Sequence, residues 1–387
     1  MMARLLLWLG LYASRLLLAG AAEAIAEDGT RRFDRSLSLE SEASTSAGVS
    51  LGDIDGDRHL DILLAKGRHW PAENLVLFGD GRGGFPRREV VGAADRTYSG
   101  ALADWDSDGR LDLVVSNDRP DRKYLYRNDG RGHLVQVGTF GEATWPTRYV
   151  ALADLNADGR IDIVAANRNG ERTRGRIPSY ICFQDGKGGF SECRPLPGGS
   201  STIIVAADFD GDRAIDLFMP PRDGGHSRLW WNDSRGGFAE SFVFEAEESR
   251  TRAAVAADLD GDNRLDLATA GADGQGVIAY RNGGMRRFEP ARPVGAASRS
   301  VYALAIADMD LDQRADIVVG YDQGRGSVFF GEVGGGFREV EWNDGRGAVY
   351  GLAIGDLNGD HWPDIVTARS GAVNAVWFSQ PVSASRE

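Results

Sequence analysis

Cysteine and histidine are scarce in this chain of 387 residues, which has two of the first and five of the second. No cluster of the two types exists, so a zinc centre built on their nitrogen and sulfur is not expected. Signatures of hydrolytic or nucleotide chemistry are also missing: there is no G-x-S-x-G elbow, no H-E-x-x-H and no P-loop. After residue 24 no apolar run is long enough to span a bilayer, and no stretch keeps a helical period. Basic charge is in deficit, with 44 Lys+Arg against 57 Asp+Glu and a formal net charge of −13. That balance argues against a nucleic-acid binder, which needs a basic footprint.

What is abundant is glycine, 51 residues, near twice the roughly 7% of an average protein. Hydrophobic residues make up 42%, enough for a sizeable core, so wholesale disorder is excluded.

Residues 1–24 differ from the rest. Arg4 precedes an apolar run, and Ala22-Glu23-Ala24 offers a small-x-small cleavage site. The pattern is that of an export signal. Arg15 interrupts the run, which leaves fewer than the ~20 apolar residues of a spanning helix, although an uncleaved anchor is the competing reading. The mature domain is then 25–387. Cys182 and Cys193 flank Phe183-Gln184-Asp185-Gly186-Lys187-Gly188-Gly189-Phe190, a hairpin-like turn. In an exported protein they are expected to face each other as a disulfide, the alternative being two free thiols.

One acidic segment of nine residues recurs seven times, from Asp53, Asp104, Asp154, Asp208, Asp258, Asp308 and Asp356. The intervals are 51, 50, 54, 50, 50 and 48 residues, a period that marks a repeat architecture of the propeller-blade type. A short apolar run precedes each segment and a β-prone run such as Leu113-Val114-Val115 follows it. A third strand comes next, then a glycine turn closing on an aromatic, as in Gly83-Gly84-Phe85 and Gly236-Gly237-Phe238. These are all-β signals. The seventh unit stops after its third strand, Val373-Asn374-Ala375-Val376-Trp377-Phe378, whereas Arg32-Phe33-Asp34-Arg35-Ser36-Leu37-Ser38-Leu39 looks like an orphan fourth strand. The prediction is an all-β, seven-bladed β-propeller of four-stranded blades, closed by its N-terminal strand, with no open edge.

Within each segment acids stand at positions 1, 3, 5 and 9. The set comprises Asp53, Asp55, Asp57 and Asp61; Asp104, Asp106, Asp108 and Asp112; Asp154, Asn156, Asp158 and Asp162; and Asp208, Asp210, Asp212 and Asp216. It continues with Asp258, Asp260, Asp262 and Asp266; Asp308, Asp310, Asp312 and Asp316; and Asp356, Asn358, Asp360 and Asp364. Position 7 (His59, Arg110, Arg160, Ala214, Arg264, Arg314, Trp362) can add a backbone carbonyl. Hard oxygens at alternate positions of a tight loop suit Ca²⁺, up to seven ions in all, one per blade. An EF-hand is excluded, because position 12 holds Leu64, Val115, Ala165, Met219, Thr269, Val319 and Thr367 instead of a bidentate Glu. Acidic turns without metal are the competing reading. The Asp308 segment has no glycine, so its loop geometry is the least secure.

The repeat resembles the FG-GAP/VCBS repeat family, the calcium-loop propeller also found in the heads of integrin α-subunits. The match covers about residues 31–380, although the Phe-Gly and Gly-Ala-Pro sequences behind the family's name are mostly absent. The resemblance implies a calcium-binding propeller acting in recognition or adhesion. Because calcium-loop propellers also occur in polysaccharide lyases, it leaves catalysis open.

A ligand is expected on the face opposite the metal loops. Six residues before each leading Asp stand Ala47, Tyr98, Arg148, Thr202, Arg252, Tyr302 and Tyr350, with Tyr149 adjacent. The connections after the second strands, Lys66-Gly67-Arg68-His69-Trp70 and Arg168 to Arg176, are basic. Arginine with Tyr or Trp suits anionic groups or sugars, so a glycan or an extracellular protein is the expected partner. The bland alternative is that these side chains only plug the channel mouth. A lyase would use Tyr98 or Tyr302, near Arg252, as its base.

The loops hold 26 Asp and six Arg, so the rest of the chain carries +7, and seven Ca²⁺ would bring −13 to +1. Acidity is thus a property of the metal-free loops.

Overall fold

The computed structural model describes residues 31–382 except 170–176, 191, 223–224, 245–249, 272–273 and 296–297. The expected export signal at 1–24 and most of the Arg168–Arg176 connection lie outside the described residues. Among the described residues there is no helix, and every strand pairing is antiparallel.

Five repeats form separate four-stranded sheets, each meandering in chain order. The second is representative, with strands Thr97–Ala103, Asp112–Asn117, Lys123–Asn128 and Leu134–Phe140. The first and last repeats share an eight-stranded sheet, joined where Ser44 and Thr45 pair with Ala372 and Ser370. In that sheet Arg31–Ser38 pairs with Ala375–Pro381, Ser36 facing Trp377, and so supplies the outer strand of the last repeat. Phe33 is buried there beside Trp342 and Trp377.

The second strands are apolar on both faces because both faces are covered. Ile62 packs towards the last repeat and Leu63 towards the second. Each buried cluster is assembled from two adjacent repeats, including one between the last and the first that holds Leu39, Leu64, Val366 and Phe378. The sheets therefore stand as blades packed face to face, as a propeller demands.

Cys182 lies directly across from Cys193 in the pair Tyr180–Phe183 and Glu192–Pro195, and the two are disulfide-bonded. Proximity set by strand register is what the hairpin spacing anticipates.

Candidate metal loops and the opposite mouth

In every repeat the acidic segment joins the first strand to the second, and its ninth residue begins the second strand. The loop backbone is the same seven times. Positions 4 and 6 both have positive φ, from Gly56 at 81° and Arg58 at 73° to Gly359 at 77° and His361 at 69°. Six loops place glycine at one of the two positions. The Asp308 loop adopts this shape without glycine, with Leu311 at 58° and Gln313 at 70°. The loop without glycine thus keeps the common form at a conformational cost, since an L-residue in the left-handed region loses roughly 1–2 kcal/mol.

Carboxylates fold the loop around themselves. The first Asp receives amides from positions 4, 5 or 6, as Asp53 does from Gly56 and Arg58 at 2.8 and 2.9 Å. The fifth accepts the amide of position 7 in all seven loops, from His59 on Asp57 to Trp362 on Asp360. In five loops three carboxylates offer oxygens within 4.8 Å of one another. They are those starting at Asp53, Asp104, Asp208, Asp258 and Asp308; in the Asp208 and Asp308 loops the third member is Asp216 or Asp316. The donor set is oxygen only. Buried Oδ1 atoms of Asp55 and Asp310 have no hydrogen-bond partner among the described residues, so the groups fit a hard divalent cation. The other two loops carry Asn at position 3, and Asn156 and Asn358 donate to Asp158 and Asp360 at 3.0 and 3.1 Å.

Two relationships escape sequence reasoning. The ninth-position Asp acts as a clamp. Asp61 Oδ2 accepts the Ile54 amide at 2.7 Å while Oδ1 accepts that of Gly79, just past the third strand, at 2.9 Å. The pair recurs at Asp162, Asp216, Asp266, Asp316 and Asp364. Asp112 keeps only the Asn128 amide, because Trp105 donates to Ala103 instead. Burial, against the pull of these amides, pushes the carboxyl up to about 6 at Asp61 and about 7 at Asp364. An alternating acidic pattern cannot separate clamp from ligand.

Arginines also invade the acidic face. Each position-3 Asp (55, 106, 210, 260, 310) has a guanidinium within 4.0 Å, from Arg87, Arg127, Arg286, Arg281 and Arg338. Arg110, Arg160, Arg264 and Arg314 pair with the fifth Asp of their own loops. The positive charge counted outside the loops is therefore not all free for the other surfaces.

At the opposite strand ends six of the anticipated residues share one backbone feature, whereas Thr202 precedes its strand, Val205–Ala207. The register of the first strand slips at Ala47, Tyr98, Arg148, Arg252, Tyr302 and Tyr350, each the extra residue of a β-bulge. A bulge of this kind re-aims the side chain of its extra residue. Tyr149, next to one bulge, is partly buried and packs against the cluster that contains Leu155 and Ile181.

The mouth side chains are half-buried and connected. Arg148 lies 4.0 Å over the Tyr98 ring and 2.8 Å from Asp118. Tyr98 Oη meets His69 Nδ1 at 3.1 Å. Arg252 lies 3.3 Å over Tyr302, whose ring centroid is 4.9 Å from that of Tyr350. Arg68, from the connection after the first repeat's second strand, sits 3.6 Å over Tyr350. Burial raises the Tyr98 phenol, the opposite of what a general base needs. His59 and His361 stay in the acidic loops, and His133 meets Glu89 at 2.8 Å. A separate depression of about 410 Å³ is lined by Thr139, Glu142, Trp145, Tyr180 and Cys193 among others.

Comparison with known proteins fits this architecture. Solved structures similar in fold include BBS1N in complex with ARL6DN, soaked with lead, with a TM-score of 0.61 and 13% identity over 92% of this chain and 99% of that one. The mercury-soaked form gives 0.59 and 12% over the same shares. An Agrocybe aegerita lectin, described as recognising non-reducing terminal N-acetylglucosamine, gives 0.56 and 18% over 85% of this chain and 87% of its own. At these identities the likeness shows the fold alone. No curated protein matches in sequence. The FG-GAP-like repeat model matches five times, at residues 104–165, 154–219, 208–269, 258–319 and 308–367. The chain belongs to the FG-GAP-like repeat family.

Proposed function

We propose that this is an exported recognition module: a seven-bladed ring closed by its N-terminal strand, stiffened by calcium and binding a glycan or extracellular protein at the mouth. The observation that carries it is the separation of chemistries. Oxygen clusters suited to a cation lie at one end of the strands, and a linked Arg/Tyr network lies at the other. Family membership supports calcium in the loops, with the position-7 carbonyls of residues such as His59 and Ala214 as additional ligands. An intramolecular disulfide suits an oxidising compartment, and no helix among the described residues is long and apolar enough to cross a membrane. The similar folds include one that engages a protein and one that recognises a sugar, in line with a binding role.

The test is binding of the calcium-loaded protein to glycan and matrix-protein arrays. Loss of binding in the double variant Arg148→Ala with Arg252→Ala, at unchanged melting temperature, supports the mouth as the site. Retained binding in that variant refutes it.

A further inference from the structure

The guanidiniums of Arg68, Arg148 and Arg252 at the mouth are not equivalent. Arg148 is neutralised by Asp118 and stacked on Tyr98. Arg68 and Arg252 face one ring, with guanidinium carbons 3.6 and 4.9 Å from the Tyr350 centroid. Arg68 holds Ser370 Oγ at 3.1 Å through Nη1, and its Nε, like that of Arg148, is buried without a hydrogen-bond partner among the described residues. Among the described residues no carboxylate lies within ion-pair distance of either. Burial pulls Arg252 down to about 10, and the nearby Arg222 acts in the same direction. A desolvated cation without a counter-charge is an unfavourable ground state that an incoming anion relieves.

We infer that the mouth holds one oxyanion between Arg68 and Arg252, carried on a saccharide; the inference rests on the recognition reading above. Forked guanidinium donors match a carboxylate or sulfate in pairs of hydrogen bonds. The saccharide follows from what surrounds them. Trp70, two residues from Arg68, is 65% exposed and stands edge-on to His69 at 5.8 Å. An indole open to solvent beside an ion site offers its face to a sugar ring. Thr202, in the mouth position of the fourth repeat, has a buried hydroxyl oxygen without a partner among the described residues, available for a sugar hydroxyl. Arg148 then acts as a positioning residue that fixes Tyr98.

The test is calorimetric titration of the calcium-loaded mature chain with trigalacturonate, its methyl ester and a sulfated, carboxylate-free galactose oligomer. The acid should bind at least about tenfold more tightly than the ester. Arg252→Ala and Arg68→Ala should each remove that difference, whereas Trp70→Ala should weaken acid and ester alike. Arg235→Ala, in an exposed turn beyond the fourth repeat's third strand, should change nothing. If Arg252→Ala does not fold, Arg252→Lys keeps the charge without the fork and should lose most of the discrimination. Binding of the sulfated oligomer in place of trigalacturonate assigns the oxyanion to sulfate and supports the site. Equal affinity for acid and ester overturns the oxyanion while leaving the recognition reading standing. No binding of any of the three overturns the inference, and array binding that disappears in the mouth variants would still uphold the module.

Discussion

The carboxylate of Asp364 accepts the backbone amide of Ser379 at 2.9 Å, tying the seventh acidic loop to the strand that receives the N-terminal segment. Arg31 completes the link, its Nε donating to Ser379 Oγ at 2.9 Å and its guanidinium lying 3.7 Å over Trp362. Loop, last strand and first strand thus form one unit. Deleting residues 31–40 should lower the melting temperature of the whole domain and abolish a single cooperative transition. Unchanged thermal unfolding would count against closure by this strand.

The clamp itself can be graded. Asp364→Ala leaves the buried amides of Leu357 and Ser379 without acceptors, at about 1–3 kcal/mol each. Asp112→Ala strands only the Asn128 amide, so it should cost about half as much. Urea denaturation of the two variants checks the order, and equal losses would refute the clamp.

Leu311 pays the conformational cost that glycine avoids at the same position of four other loops. No atom lies within 4 Å of a Cβ built on Gly56, Gly211 or Gly261 at the equivalent position, so φ and not space selects glycine there. Leu311→Gly should stabilise the protein by about 0.5–1 kcal/mol, the relief of left-handed strain less the unfolded-state entropy. Calorimetry showing destabilisation would contradict the shared loop geometry.

Asp95 provides a pH test away from the loops. Burial, reinforced by Asp121 and opposed by Arg96, raises its carboxyl to about 6. A raised folded-state value means that the favourable contribution is complete below about pH 4 and is lost as pH climbs through about 6. Asp95→Asn should therefore stabilise by about 1–2 kcal/mol at pH 7.5, after allowing for solvent screening, and by little at pH 4. An equal effect at both values would assign the change to packing.

Much of this was legible in the chain because the repeat is written in residue types. Seven acidic segments at near-constant intervals, with apolar runs on either side, fix the blade order and which strand ends carry the loops. What stayed hidden depends on register and direction. Asp61 and Asp55 look alike in a pattern, yet one is clamped by two amides and the other is left with a free oxygen. Tyr149 and Arg148 are neighbours, but Arg148 is the bulged residue and stacks on Tyr98, while Tyr149 packs against a buried cluster between two repeats. Arg68 joins Tyr350 across 282 positions of sequence, a contact made by the meeting of first and last repeats. Asn232 is similar: its amide bridges the carbonyls of Leu155 and Ile215 in successive loops, which no local pattern reveals.

Calcium in the acidic loops is the claim on which the architecture turns, and a melting curve with and without chelator tests it most directly. With a dissociation constant of about 0.1 mM and about 1 mM calcium, each site adds roughly 1.4 kcal/mol by mass action, so several together rival the stability of a typical domain. The melting temperature should rise steeply with calcium and fall markedly in excess EGTA. A curve that ignores the chelator would contradict the account.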